Sequence, residues 1–278
     1  MPVKKSPSKR DFHPKKSLGQ NFLVDKNTRE RIVAACDLND KDVVLEIGPG
    51  RGALSRLLAH RVKMFYAIEK DRELYRYLQG ELKGERIHLI RGDFLKFDLT
   101  PCLGLTKIIG NLPYNISSPI IIKILESRTA WKDAYLTVQE EFAKRLTARP
   151  HNKDYGALTC FVEYHCEAKI LFRIKNTCFR PKPKVNSSFV HLKPRSYPDP
   201  AKNDEWLFSL IRRLFQQRRK MVGKTLGLLI GRETAGNILQ KLHINEKARP
   251  EDLALDEYIR ISNYINLLGR NQAEEGGA

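Results

Sequence analysis

The chain has 278 residues, 41% of them hydrophobic, enough to bury one large core or a core and a smaller companion. Its 50 Lys and Arg against 32 Asp and Glu leave a net charge of +18, which excludes an acidic solvating protein and points to a polyanionic partner held by salt-sensitive contacts. The five cysteines (Cys36, Cys102, Cys160, Cys166, Cys178) are odd in number and include no close CxxC pair, so reduced thiols are expected and a metal site is not.

Residues 1–16 are basic and lack the apolar stretch of a secretory signal, so they are expected to form a disordered tail. No apolar run is long enough to span a bilayer, and a cytoplasmic protein is the default expectation. Residues 42–47 read as a buried strand, followed by the turn Gly48-Pro49-Gly50-Arg51-Gly52 and a helix from Ala53 to His60. Lys63 to Glu69 reads as a second strand ending in an acid, and a helix follows from about Asp71 to Leu82. Ile87–Ile90, Lys107–Ile109 and Tyr135–Val138 are short strand candidates, the last leading into a helix from Gln139 to Thr147. Strands alternating with helices imply an α/β domain with a mainly parallel, Rossmann-like sheet.

The segment 193–200 has three prolines in eight residues and reads as a linker. Beyond it the apolar spacing is helical. Trp206, Leu207, Leu210, Ile211 and Leu214 form one stripe, and Leu226–Ile230, Ile238–Leu242 and Leu253–Leu268 suggest further helices. The expected division is a tail at 1–16, an α/β domain at 17–195 and a smaller helical domain at 196–270, with a frayed end at 271–278.

Two segments carry chemistry. Gly48 and Gly50 lie in a GxGxG turn between strand and helix, where bare backbone lets a ligand approach, and Glu69 closes the next strand where a ribose diol would be held. The spacing is not GxGxxG, which favours S-adenosylmethionine, a cofactor without phosphate, over a dinucleotide. Asp93 follows the third strand and suits either the adenine amino group of that cofactor or a helix cap.

The second segment is Asn111-Leu112-Pro113-Tyr114. An exocyclic adenine amine is a poor nucleophile because its lone pair is delocalised into the ring. Acceptors on its N–H bonds let the nitrogen pyramidalise as a methyl group arrives. Asn111 offers a side-chain carbonyl and Leu112 a main-chain one, Pro113 fixes the extended shape, and Tyr114 offers a ring for the base. Such stacking is worth roughly 1–3 kcal/mol.

These segments, with Leu18-Gly19-Gln20-Asn21-Phe22-Leu23, Gly92-Asp93, Asn115-Ile116-Ser117-Ser118 and Phe179-Arg180-Pro181-Lys182-Pro183-Lys184-Val185, closely resemble the small-subunit ribosomal RNA adenine dimethyltransferases from about Lys15 to Leu268. The resemblance implies a Rossmann-like S-adenosylmethionine-dependent methyltransferase domain with a smaller C-terminal helical domain. The implied reaction is N6,N6-dimethylation of two adjacent adenosines near the 3′ end of small-subunit RNA. A pre-small-subunit particle is the expected substrate, because a flat base offers little identity and shape must be read, and a monomer is the default expectation. It implies that Asn21, Leu23, Gly48, Gly50, Glu69, Asp93 and Asn111 hold the cofactor and that Phe179 stacks opposite Tyr114, although Gln20-Asn21 also suits a capping turn and Phe179 a core position. Asn186-Ser187-Ser188 begins a strand.

Arg218, Arg219 and Lys220, in a Gln-Arg-Arg-Lys segment at a helix end, suit RNA phosphate contacts or a solvated charge cluster. This segment and Arg249-Pro250-Glu251-Asp252-Leu253 favour the small-subunit target over the large-subunit methyltransferases of antibiotic resistance, which share the Lys182–Ser188 run. A non-catalytic assembly or transcription factor on the same fold is the other alternative.

Overall fold

The computed structural model describes residues 13–99, 104 and 107–275. The chain divides into two compact units, residues 1–143 with 167–194, and residues 144–166 with 195–278. Most of the expected basic tail, and Cys102, lie outside the described residues.

In the first unit β1 (Phe22–Leu23) precedes α1 (Lys26–Ala35), which Asp25 caps by accepting from the Thr28 amide. There follow β2 (Val43–Ile47), α2 (Ser55–Leu58), β3 (Met64–Glu69), α3 (Arg72–Glu81), β4 (Ile87–Arg91), β5 (Lys107–Asn111), α4 (Ser117–Glu126) and β6 (Asp133–Gln139). The helices α5 (Glu140–Leu146) and α6 (Ala157–His165) precede β7 (Cys166–Ile174), β8 (Phe179–Arg180) and β9 (Ser187–Pro194). Seven strands form one sheet in the order β4-β3-β2-β5-β6-β9-β7, while β1 and β8 pair separately and antiparallel. From β4 to β6 the pairing is parallel, and β9 adds antiparallel to β6. The continuous apolar runs of β2 and β5 are what a strand covered on both faces requires. Strand order reverses beside β2, which opens a crevice at the carboxyl ends of β2 and β5.

The far end of the sheet is tied by charge. Lys107, at the start of β5, is 6% exposed, and its ammonium contacts Asp42 at 2.8 Å and the Asp37 carbonyl. Burying such a pair is costly, so both groups depend on each other.

The second unit has its own core of Tyr155, Cys160, Tyr164, Leu207, Leu210, Leu214, Leu226, Leu239 and Tyr258. It comprises α6, α7 (Asp204–Gln216), α8 (Val222–Ile230), α9 (Arg232–Lys241) and α10 (Leu255–Glu275). Among the described residues no helix is long and apolar enough to cross a membrane.

Several expectations shift. Residues 144–166 join the helical unit instead of the α/β domain, because Tyr155, Cys160 and Tyr164 bury themselves in its core and no Gly/Pro-rich stretch marks that crossing. The helix after the glycine turn is four residues, not eight, since Gly52 at φ 72 keeps the chain in turns until Ser55. The strand β7 went unexpected because, at the end of the sheet, it is largely exposed and its short apolar run, Ile170-Leu171-Phe172, is flanked by charged residues. In α7 the buried stripe uses Phe208, with Trp206 only half-buried. The helix α10 extends to Glu275 through good helix formers, so residues 271–275 are not a frayed end.

Candidate active site

A cavity of about 180 Å³ opens at the carboxyl ends of β2, β3, β4 and β5. The glycine turn forms its floor. Gly48 and Gly50 have φ of 64° and 57°, a left-handed backbone that side chains disfavour. A Cβ on Gly48 would meet nothing within 4 Å, so it would project into open space, whereas one on Gly50 would meet the Phe22 ring at 3.1 Å. Gly92 is as open as Gly48. Bare backbone therefore faces the cavity where an elongated ligand needs room.

Glu69, 6% exposed, stands at the end of β3. One carboxylate oxygen accepts from the Gly50 amide at 3.0 Å and the other from the Asp71 amide at 2.8 Å. A carboxylate has about four lone-pair sites, so acceptor capacity remains for a ribose diol. Burial pushes the Glu69 carboxyl up to about 7 despite these donors. Asp71 in turn accepts from Gln20 Nε2 at 3.1 Å and pairs with Lys15 at 3.0 Å, fastening the segment Lys15–Asn21 along the rim of the cavity. The Lys15 and Glu73 hydrogen bonds hold the Asp71 carboxyl below its usual range despite its burial. Neither Lys15 nor Asp71 stood out in the sequence. Asp71 also caps α3, accepting from the Glu73 amide at 2.9 Å.

Glu46, on β2, is 2% exposed and accepts from Ser55 Oγ at 2.6 Å. Its burial raises the carboxyl to about 8. Asp93 combines the two expected readings. Its side chain caps the short turn at Leu95 (3.0 Å), pairs with Lys70 at 2.8 Å and still lines the cavity. The Lys70 contact holds its carboxyl low.

Asn111 ends β5. Its amide nitrogen donates to the Asn21 carbonyl at 2.9 Å, which leaves Oδ1 as an acceptor. Leu112 is buried, with its own amide tied to the Thr137 carbonyl at 3.0 Å. Pro113 is extended, with φ −61° and ψ 129°, and its carbonyl accepts from Ser117 Oγ and the Ile116 amide. Tyr114 follows on a short 3-10 turn, and its hydroxyl meets Ser187 Oγ at 2.6 Å. Asn21, Leu23, Asn111, Leu112, Pro113 and Tyr114 all line the one cavity with Gly48, Gly50, Glu69 and Asp93.

Phe179 does not join them. It is fully buried, pairs with Leu23 across β1 and β8, and belongs to the core of the α/β unit. Phe179 is not among the residues that line the cavity.

In the helical unit, Arg218, Arg219 and Lys220 lie in the turn after α7, not on the helix. Arg219 and Lys220 are exposed. Arg218 is half-buried, with its guanidinium 3.3 Å from Glu251 and 3.2 Å from the Asn152 carbonyl. Glu251 also accepts through its main chain from the His151 amide at 2.8 Å. The Gln-Arg-Arg-Lys and Arg-Pro-Glu-Asp-Leu segments thus form one knot.

A parallel sheet with an acid-tipped second strand, an open glycine turn and an Asn-Leu-Pro-Tyr segment on one cavity defines a Rossmann-like methyltransferase. The chain belongs to the ribosomal RNA adenine dimethylase family, whose model matches residues 11–267. It is 36% identical over 271 residues to the ribosomal RNA small subunit methyltransferase A of Clostridium botulinum, covering 95% of this chain and 98% of that one. The protein of the same name from Chlorobaculum parvum is 42% identical over 214 residues, 76% and 77% of the two chains. A crystal structure of a dimethyladenosine transferase from Plasmodium falciparum shares the fold, with TM-score 0.79 and 24% identity over 89% of this chain and 98% of that one. The 23S rRNA methyltransferase ErmE superposes with TM-score 0.69 at 27% identity, covering 88% and 100%.

Proposed function

We infer that this chain transfers methyl groups from S-adenosylmethionine to N6 of adenosines in small-subunit ribosomal RNA, giving N6,N6-dimethyladenosine. The observation that carries the reading is the oriented Asn111 amide. Its nitrogen is spent on the Asn21 carbonyl, so its oxygen is presented as an acceptor on the cavity that Glu69 and the glycine turn share.

The cofactor supplies an electrophilic methyl group on a sulfonium. The residues around the cavity fit it, because bare backbone at Gly48 and Gly92 leaves room and Glu69 keeps lone pairs for a diol. Gly48, Gly50, Asn21 and Leu23 would hold its amino-acid end, Glu69 its ribose and Asp93 its adenine. Asn111 Oδ1 and the Leu112 carbonyl accept from the target amine and favour its pyramidal form. Tyr114 stacks on the base and holds it for in-line attack, so alignment is the main lever. No strong base is required, since the methylated amine is acidic enough to release its proton to water.

The target is read as two adjacent adenosines near the 3′ end, within a pre-small-subunit particle, by a cytoplasmic monomer with a role in particle biogenesis. The "small subunit" in the names of the curated relatives supports the subunit choice. Exposed Arg219 and Lys220 support phosphate contacts by the helical unit. The test is radiolabelled methyl transfer to undermethylated small- and large-subunit particles, with product nucleosides resolved. Dimethyladenosine in small-subunit RNA is the expected result. Label confined to large-subunit RNA would move the chain to the ErmE-like reaction, and tight particle binding without label would leave an assembly factor.

A further inference from the structure

We propose that Ser187 is the positioning residue of the base platform: its buried hydroxyl pins the far end of the Tyr114 ring and sets the plane on which the target adenine stacks. The inference rests on the reading of Tyr114 as that platform.

Three observations carry it. First, the ring is half-buried and carried on a short turn. Tyr114 sits on a three-residue 3-10 turn in which no residue is buried, and Phe179, the aromatic expected opposite, is in the core. A tyrosine ring turns about two side-chain torsions, and a contact at its far end fixes both. Second, the contact is short and at the end of the lever. The hydroxyl-to-hydroxyl distance is 2.6 Å, and the phenol oxygen is the atom farthest from the backbone. Fixing that atom removes the swing. Third, the anchor is rigid. Ser187 is 0% exposed and opens β9, in register with Gln139 of β6. The preceding residue is fastened twice, the Asn186 carbonyl accepting from the Glu140 amide at 3.0 Å and its side chain from the Asn176 amide at 3.1 Å. The chain has therefore placed a serine hydroxyl on a fixed strand end against a group carried on a turn. A site geometry held by packed supporting groups is what alignment-driven catalysis needs.

The pair also stays neutral. Burial raises the phenol above its ordinary range, so the contact is a hydroxyl–hydroxyl bond throughout the working pH range.

The test is a double-mutant cycle on the full chain, Ser187→Ala and Tyr114→Phe, alone and together, with Ser187→Thr and Tyr114→Ala as controls. Undermethylated small-subunit particles are the substrate. Either single change of the cycle is expected to lower kcat about five- to tenfold, the worth of one hydrogen bond. The KM for the particle, set by many remote phosphate contacts, should move less than twofold, and cofactor affinity should not change. The double variant should be no worse than the weaker single variant by more than about twofold, because both changes remove the same bond. Ser187→Thr, which keeps the hydroxyl, should recover most of the rate. A lowered Tm with unchanged kcat would mean a merely structural bond and overturn the proposal. So would multiplicative losses in the double variant, or a Ser187→Ala protein as active as wild type while Tyr114→Ala is crippled. Full activity of Tyr114→Ala would instead overturn the platform reading itself.

Discussion

Replacing Glu69 by Gln keeps the side chain's size and tests what its charge does. In the structure both carboxylate oxygens accept from backbone amides, Gly50 at 3.0 Å and Asp71 at 2.8 Å. A glutamine offers only one acceptor oxygen, so one amide must face an NH2 group. That mismatch costs about 1–3 kcal/mol of fold stability. The cofactor loses more selectively, because a charge-assisted bond to a ribose hydroxyl worth roughly 1.5–3 kcal/mol becomes an ordinary or absent one. Affinity for S-adenosylmethionine should therefore fall about 10- to 100-fold at pH 8, while particle binding, carried elsewhere, is kept.

Burial pushes the Glu69 carboxyl up to about 7, above its ordinary 4.5. A raised folded pKa favours the protonated form, so Glu69's contribution to stability without cofactor is complete below about 4.5 and is lost as pH rises through about 7. Cofactor binding that draws on the ionised form runs the other way. Between pH 8 and pH 6 wild-type affinity should drop about tenfold, and the Glu69→Gln protein should show no such step. Titration calorimetry with the full chain at both pH values reads both effects. A Glu69→Gln affinity within threefold of wild type at pH 8, or a flat wild-type profile, would refute the assignment of Glu69 to the ribose.

Three further outcomes follow from the geometry. Arg219→Ala should reduce the slope of log affinity against log salt for the particle by about 0.7–0.9, the loss of one phosphate contact, whereas Arg218→Ala should leave the slope unchanged and lower Tm, because Arg218 is paired with Glu251. Gly48→Ala should cost about 1–2 kcal/mol of stability from its positive φ yet abolish detectable cofactor binding, since its Cβ enters the cavity; unimpaired binding would remove the glycine turn from the site. Lys107→Met should destabilise by about 3–5 kcal/mol, because it strands the Asp42 carboxylate in the interior, and chemical denaturation measures the loss.

The α/β unit was legible because its local signals agree with one another. The apolar runs at 42–47 and 107–109, the left-handed glycines between strand and helix, and the acid closing the second strand each demand one kind of structure. The Asn111–Tyr114 segment could be read as an amine clamp from functional groups alone, since the chemistry of acceptors and a stacking ring depends on residue type. Parallel pairing then forces the strand ends, and those groups, to one edge of the sheet.

What the sequence did not determine is which groups meet across long separations. Phe179 is suited by type to a core or a stacking site, and its burial beside Leu23 comes only with the pairing of β8 and β1. Ser187 is an unremarkable strand residue until the fold sets its hydroxyl 2.6 Å from a tyrosine 73 positions away. Arg218 reads as one cation of a cluster, and only the fold brings it 3.3 Å from Glu251. Composition and periodicity report the local chain, where helix and strand are chosen within a few residues. A hydrogen bond or ion pair between distant residues is a property of packing, and packing exists only once the tertiary structure has brought them together.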